Sequence, residues 1–240
     1  MGKVWSINNN FGENKRIKEN YIFILSFILP MVIMFVVFTS LGVGFIGDKT
    51  IVSSDMYTQY VAYFGKFKDI LSGDGSIFYS FNKSIGGNNI GLFAYYLASP
   101  LNLLLILFPK SAIGEFIFII YLIKIGLASL CFSLYISKVY KKKDLFVVIF
   151  SLCYALMSYN ICFQMNIMWM DGMMLLPLVA LGIEEIILKG KYKLYMIVLF
   201  MVVVSNYYIG YMICIFSVVY FFYKSIIYKK ISLPRTFKFF

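Results

Sequence analysis

Residues 21–47 run for 27 positions without a charged side chain, and a polar stretch over residues 47–91 separates them from a series of further apolar runs. As a helix rising roughly 1.5 Å per residue, the first run reaches about 40 Å. A bilayer's hydrocarbon core is about 30 Å thick, so such a helix crosses it with some tilt. The first span is predicted over 21–46 with a kink at Pro30, and further spans over 112–137, 145–160, 172–188, 194–205 and 207–223. The last pair is short for two crossings and also reads as a half-buried hairpin around Asn206. The expected fold is an all-α integral membrane protein, a polytopic helical bundle.

Inside the polar stretch the period changes. Met56, Tyr60, Val61, Phe64, Phe67 and Leu71 recur every three or four residues, with Asp55, Gln59, Lys66 and Asp69 largely on the other side. That spacing predicts an amphipathic helix lying in the membrane interface. Gly73-Asp74-Gly75 ends it, and a Gly/Asn loop follows from Asn82 to Gly91. Phe93 to Phe108 is apolar but interrupted by Pro100 and closed by Pro109.

Charge decides how these pieces thread. Lysines and arginines gather at 3, 15, 16 and 18, at 138 and 141–143, at 189, 191 and 193, and at 224, 229, 230, 235 and 238. Basic clusters beside spans mark cytoplasmic segments. Keeping all of them on one side makes 93–108 a re-entrant or interfacial segment. The basic tail 1–20 is then cytoplasmic, and 47–91 becomes a large first extracellular loop carrying the interfacial helix. The chain stops at Pro234 to Phe240 with no closing element, as the N-terminal part of something longer would. No internal repeat stands out.

Composition narrows the chemistry. Only 14% of residues are charged and 61% are hydrophobic, with a mean hydropathy of +0.83; a soluble domain carries about a quarter charged residues. The net charge of +11 is divided among segments separated by spans, which argues against a nucleic-acid face. The chain has no histidine, which excludes Ser-His-Asp and Cys-His catalysis and HExxH zinc sites. Its four cysteines (131, 153, 162 and 214) lie in or beside apolar runs with no CxxC pair, as small core hydrophobes do.

Two carboxylates are placed for chemistry. Asp55 follows the first span at the start of the interfacial helix. It can act as a general base on a hydroxyl, hold a divalent cation against a phosphate, or simply cap the helix. Asp171 lies in the turn from Asn160 to Gly172, where a carboxylate at the membrane edge is a functional candidate or a cap for the next helix. Beside it, Trp169 suits an interfacial belt or a sugar-stacking platform. Lys124 sits near the middle of its span, where a charge is costly, and is expected to face inward toward a carboxylate or a lipid phosphate. Asn206-Tyr207-Tyr208-Ile209-Gly210-Tyr211 reads as an aromatic belt or a ring-rich pocket edge. Gly86-Gly87-Asn88-Asn89-Ile90-Gly91 follows no strand and is not a phosphate loop.

Four of these segments, in this order, carry a likeness. Asp55-Met56-Tyr57-Thr58-Gln59-Tyr60 resembles the YfhO family of bacterial membrane proteins, as do Gly86-Gly87 through Tyr95-Tyr96-Leu97-Ala98-Ser99-Pro100-Leu101-Asn102-Leu103-Leu104, Asn166 to Pro177, and Asn206 to Tyr211. The resemblance covers nearly all of this chain and the N-terminal part of family members. It implies a GT-C-like fold and a GT-C-type glycosyltransferase, which moves a sugar from a polyprenyl-phosphate carrier to lipoteichoic acid or a related cell-wall polymer outside the bacterial cell membrane. It also implies that Asp55 is the catalytic carboxylate in the first external loop and that Asp171 belongs to a second acidic motif. Tyr57, Gln59, Tyr60, Lys83, Lys124, Asn166, Trp169, Asn206 and Tyr207 are then expected at the substrate, with Lys83, Lys66 or Lys124 facing the leaving phosphate. Enzymes of this type vary in metal need, which leaves Mg²⁺ or Mn²⁺ open. A transporter or flippase for lipid-linked sugars would use the same cavity without chemistry, and a non-catalytic membrane subunit would use the loop for docking.

Overall fold

The computed structural model describes residues 4–81 and 85–229, with side chains described from residue 20 onward. Helix α1 spans Val4–Ser40 and includes Pro30. Residues Ile22, Ser26, Pro30, Met34 and Phe38, each four apart, form its buried stripe. The remaining apolar surface, including Ile24, Ile28, Val32 and Val36, is exposed. A helix apolar all round that buries one narrow stripe presents the rest to lipid.

After α1 the chain makes a π-helical turn, Met56–Tyr60, that runs into α2 (Val61–Leu71). A two-stranded antiparallel hairpin pairs β1 (Tyr79–Ser80), just before the expected Gly/Asn loop, with β2 (Gly87–Asn88) inside it. Then come α3 (Ile90–Leu92), a second π-helical turn over Phe93–Leu97 and a 3₁₀ segment over Pro100–Leu107. The bundle is completed by α4 (Ile113–Tyr140), α5 (Leu145–Ala155), α6 (Ser158–Cys162), α7 (Met170–Lys189), α8 (Lys193–Ser205) and α9 (Tyr207–Ile227).

Helix α4 is the axis. It packs against α1, α5 and α7, and α7 packs in turn against α8 and α9. Two thirds of the most apolar window of α4 is buried (67%), against 28% for α1 and for α9. Between lipid-immersed helices there is little hydrophobic drive, so close backbone approach at small residues supplies the cohesion. A Cβ on Gly182 would sit 2.7 Å from the Tyr195 backbone of α8, and one on Gly126 would sit 2.8 Å from the Phe27 carbonyl of α1. Inside the bundle, Glu184 of α7 is ion-paired with Lys224 of α9 at 2.6 Å and accepts from the Tyr220 hydroxyl at 3.1 Å.

Three of the described helical segments are long and apolar enough to cross a membrane: Asn20–Ser40, Lys110–Tyr140 and Tyr207–Ile227. A fourth arises if Ile90–Leu97 and Pro100–Leu107, inclined at 87°, count as one broken span. The expected span 145–160 is instead split, α5 ending at Ala155 and α6 resuming at Ser158. Helices α5 and α8, 11 and 13 residues long, reach only about 16 and 20 Å.

The two breaks are built alike, a repeat that the sequence reading did not find. Each leaves helix-terminal carbonyls without an intrahelical partner, and an asparagine just beyond the break answers them. Asn102 donates to the Leu97 carbonyl (3.1 Å) and the Tyr96 carbonyl (3.5 Å), while Asn160 donates to Ala155 (2.9 Å) and Tyr154 (3.3 Å). The spacing from asparagine to carbonyl is five and six residues in both.

Candidate functional site

The short segment from Tyr95 to Pro100 organises one end of the bundle. Proline disfavours the helical region in the residue before it. Ser99 accordingly takes φ −59° and ψ 127°, which ends the preceding turn. Its hydroxyl donates to Asp171 Oδ1 at 2.8 Å. Asp171 Oδ2 meets Lys124 Nζ at 2.6 Å, and the same ammonium donates to the Ile167 carbonyl at 2.8 Å. Both Lys124 and Asp171 are 1% exposed. Lys124 therefore faces inward onto a carboxylate, as the cost of a charge at that depth demands.

Asp171, at the end of the expected segment Asn160 to Gly172, lies in the first turn of α7 and is buried inside the packed bundle. Both of its oxygens are occupied by groups of the protein itself. Its contacts tie α4, α7 and the Ser99 break together.

Around Tyr95 and Tyr96 the expected site residues converge. The Tyr96 hydroxyl donates to Gln59 Oε1 at 3.0 Å, and the Tyr96 ring meets the Tyr60 ring edge-on at 5.3 Å and Tyr63 at 4.7 Å. The Tyr60 hydroxyl faces Asn166 Oδ1 at 3.4 Å and the Met168 sulfur. Burial, then Tyr96, Tyr95 and the charge of Asp55, push the Tyr60 phenol above its ordinary value, so it remains a neutral donor. Trp169 Nε1 donates to the Tyr95 hydroxyl at 3.2 Å, and Tyr207 and Tyr208 lie against the Tyr95 ring at 5.6 and 6.2 Å.

Asn206 closes the cluster. It is 1% exposed, caps α9 by accepting from the Ile209 amide at 2.9 Å, and donates to the Tyr95 carbonyl at 2.8 Å. Expected at the substrate, its amide is committed on both sides to the protein. Tyr57, 73% exposed, stands outside the cluster. Lys83 lies outside the described residues.

Asp55 borders this arrangement from the open side. It is exposed and precedes the π-helical turn, and its side chain makes no capping hydrogen bond. The Ser53 and Ser54 carbonyls instead receive the first amides of the turn, with Ser54 in the left-handed region at φ 50°. Among the described residues the Asp55 carboxylate has no hydrogen-bond or ion-pair contact. π-helical turns make up well under 1% of residues and concentrate at functional sites; here two of them, Met56–Tyr60 and Phe93–Leu97, meet through Gln59, Tyr60 and Tyr96.

Tyr95, Tyr96 and Ser99 fall within one of the family-like segments but were not among the expected site residues. Ser99-Pro100 foretells a break without naming what the serine touches. As to a metal, no group of three or more His, Cys, Asp or Glu side chains converges among the described residues. A Mg²⁺ ion held by one or two carboxylates together with a substrate phosphate would find one such ligand in Asp55.

A sequence model of the family described as bacterial membrane protein YfhO matches residues 26–239. The chain belongs to the YfhO family. Its helices and this membership make it a membrane protein. No match is found among curated proteins or among solved structures.

Proposed function

We propose that this YfhO chain belongs to a membrane glycosyltransferase of the GT-C type, with its N-terminus in the cytoplasm. It transfers a sugar from a polyprenyl-phosphate carrier to a cell-wall polymer such as lipoteichoic acid on the outer face of the bacterial membrane. The observation that carries this reading is Asp55: an exposed carboxylate with no cap to make, beside the Tyr60–Tyr96 cluster where two π-helical turns meet. A lipid-linked donor brings its phosphate to the interface. Asp55 takes the proton from an acceptor hydroxyl as that oxygen bonds to the anomeric carbon, and the bond from that carbon to the phosphate oxygen breaks with inversion. Polyprenyl phosphate leaves with the electron pair. Asp171 supports the site by holding Ser99 and Lys124, and Lys124, so engaged, does not meet the leaving phosphate.

The two matched helix breaks favour a second reading, a flippase for lipid-linked sugars, because discontinuous helices line substrate paths in transporters. Reconstitution of the full-length protein into liposomes with a polyprenyl-phosphate sugar and a polymer acceptor separates the two. Covalent transfer to the acceptor that is lost in Asp55→Asn supports the enzyme. Movement of the intact lipid between leaflets, without transfer and insensitive to Asp55→Asn, supports the flippase.

A further inference from the structure

A groove of about 660 Å³ runs between the end of α4 and the start of α5. Helix α4 lines it with Phe132, Ile136 and Tyr140, each four residues apart and so on one helix face about 12 Å long. Phe146, Val147 and Phe150 of α5 form the facing wall. Val147 is buried, while Tyr140, Phe146 and Phe150 stand exposed along the rim. At the far end Phe132 stacks on Tyr154 of α5, with ring centroids 4.4 Å apart.

The near end carries charge. It lies at the turn between the two helices, where Lys142 and Asp144 join the lining. Residues 141–144 set three lysines against one carboxylate. Lys142 is exposed and has no ion pair among the described residues. Tyr140 beside it is an amphipathic ring of the kind that sits at headgroup level.

This order of groups follows a phospholipid from end to end. A cation and a phenol stand where a phosphate would lie, and aromatic and aliphatic side chains continue where an acyl chain would run. A small soluble anion would use the lysine and leave the apolar length unfilled. The excess of lysine favours an anionic headgroup over a zwitterionic one, and basic pockets between membrane helices hold such headgroups.

We propose that the α4–α5 groove binds an anionic phospholipid, with its phosphate at Lys142 and one acyl chain along Phe132, Ile136 and Phe150. Helix α4 has 28 residues, and the stretch leading to Asp55 lies beside its other end, with Thr50 and Val52 next to Gly114. Binding at Lys142 is therefore separate from Asp55 and does not depend on the glycosyltransferase reading.

The test is fluorescence quenching by brominated lipids on the full-length protein in phosphatidylcholine liposomes. Phe146→Trp, at the exposed rim, reports on the groove, and Tyr140→Trp repeats the measurement from the opposite wall. Ile215→Trp, on an exposed position of α9, is the control, and the signal of protein without a reporter is subtracted. Brominated phosphatidylglycerol is expected to occupy the groove roughly fivefold more readily than brominated phosphatidylcholine, the factor for one lysine at an anionic lipid. Lys142→Gln is expected to abolish that preference, Asp55→Asn to leave it intact, and Ile215→Trp to show none. Equal quenching by the two lipids, or a preference that survives Lys142→Gln or appears equally at Ile215→Trp, overturns the site. Relief of quenching by polyprenyl phosphate at lower mole fractions than by unbrominated phosphatidylglycerol overturns the phospholipid as its occupant.

Discussion

Lys124 of α4 and Asp171 of α7 meet at 2.6 Å in the interior of the bundle, each 1% exposed. Lys124 also donates to the Ile167 carbonyl, and Asp171 also accepts from the Ser99 hydroxyl. These added bonds offset part of the desolvation that so deep a pair incurs.

Removing one partner strands the other charge. Asp171→Leu and Lys124→Met, each alone, are expected to destabilise the protein by about 3–5 kcal/mol, and the double variant to recover most of that loss. Thermal unfolding of the four proteins in one detergent gives the cycle. Additive losses in the double variant would show that the two residues are not coupled.

Helix contact at Gly182 is expected to be equally intolerant of bulk. Gly182→Ala pushes a methyl against the Tyr195 backbone, 2.7 Å away, at a cost of about 1–3 kcal/mol. Gly91→Ala, with nothing within 4 Å, serves as the matched control and should stay within about 0.5 kcal/mol. Equal melting temperatures for the two variants would contradict the close α7–α8 approach.

Alkaline pH should expose Tyr60. Burial raises its phenol above the ordinary value, with Tyr96, Tyr95 and Asp55 adding. The folded state then holds the proton more tightly than the unfolded chain. Stability from this group is complete below the unfolded value of about 10 and declines as pH rises above it. Tyr60→Phe, which cannot ionise, is expected to lose less stability than wild type between neutral pH and that range. Parallel declines in the two proteins would remove Tyr60 from the alkaline response.

What could be read from residues alone followed the local physics. The apolar runs announced helices, and the price of a charge in hydrocarbon announced that Lys124 turns inward, toward a carboxylate or a lipid phosphate. Which carboxylate was out of reach, because Asp171 is 47 residues away and the register of α4 on α7 is set by packing. The same distance hid Ser99 and Tyr95, whose contacts on Asp171, Trp169 and Asn206 join segments far apart in sequence. Asp171 and Asn206 looked like surface polar groups because they flank apolar runs. Burial converts both into internal ties. The π-helical turns carry no sequence signature of their own, so the meeting of Gln59 with Tyr96 could not be foreseen.

The most direct test of Asp55 as the catalytic base uses the full-length protein purified with its lipid, given a polyprenyl-phosphate sugar and acceptor polymer. Released polyprenyl phosphate is quantified for wild type and Asp55→Asn, with melting temperature measured alongside. The expected result is release that falls by at least about 100-fold in the variant, the low end for a lost general base, at unchanged thermal stability. Release by Asp55→Asn at the wild-type rate would contradict that role.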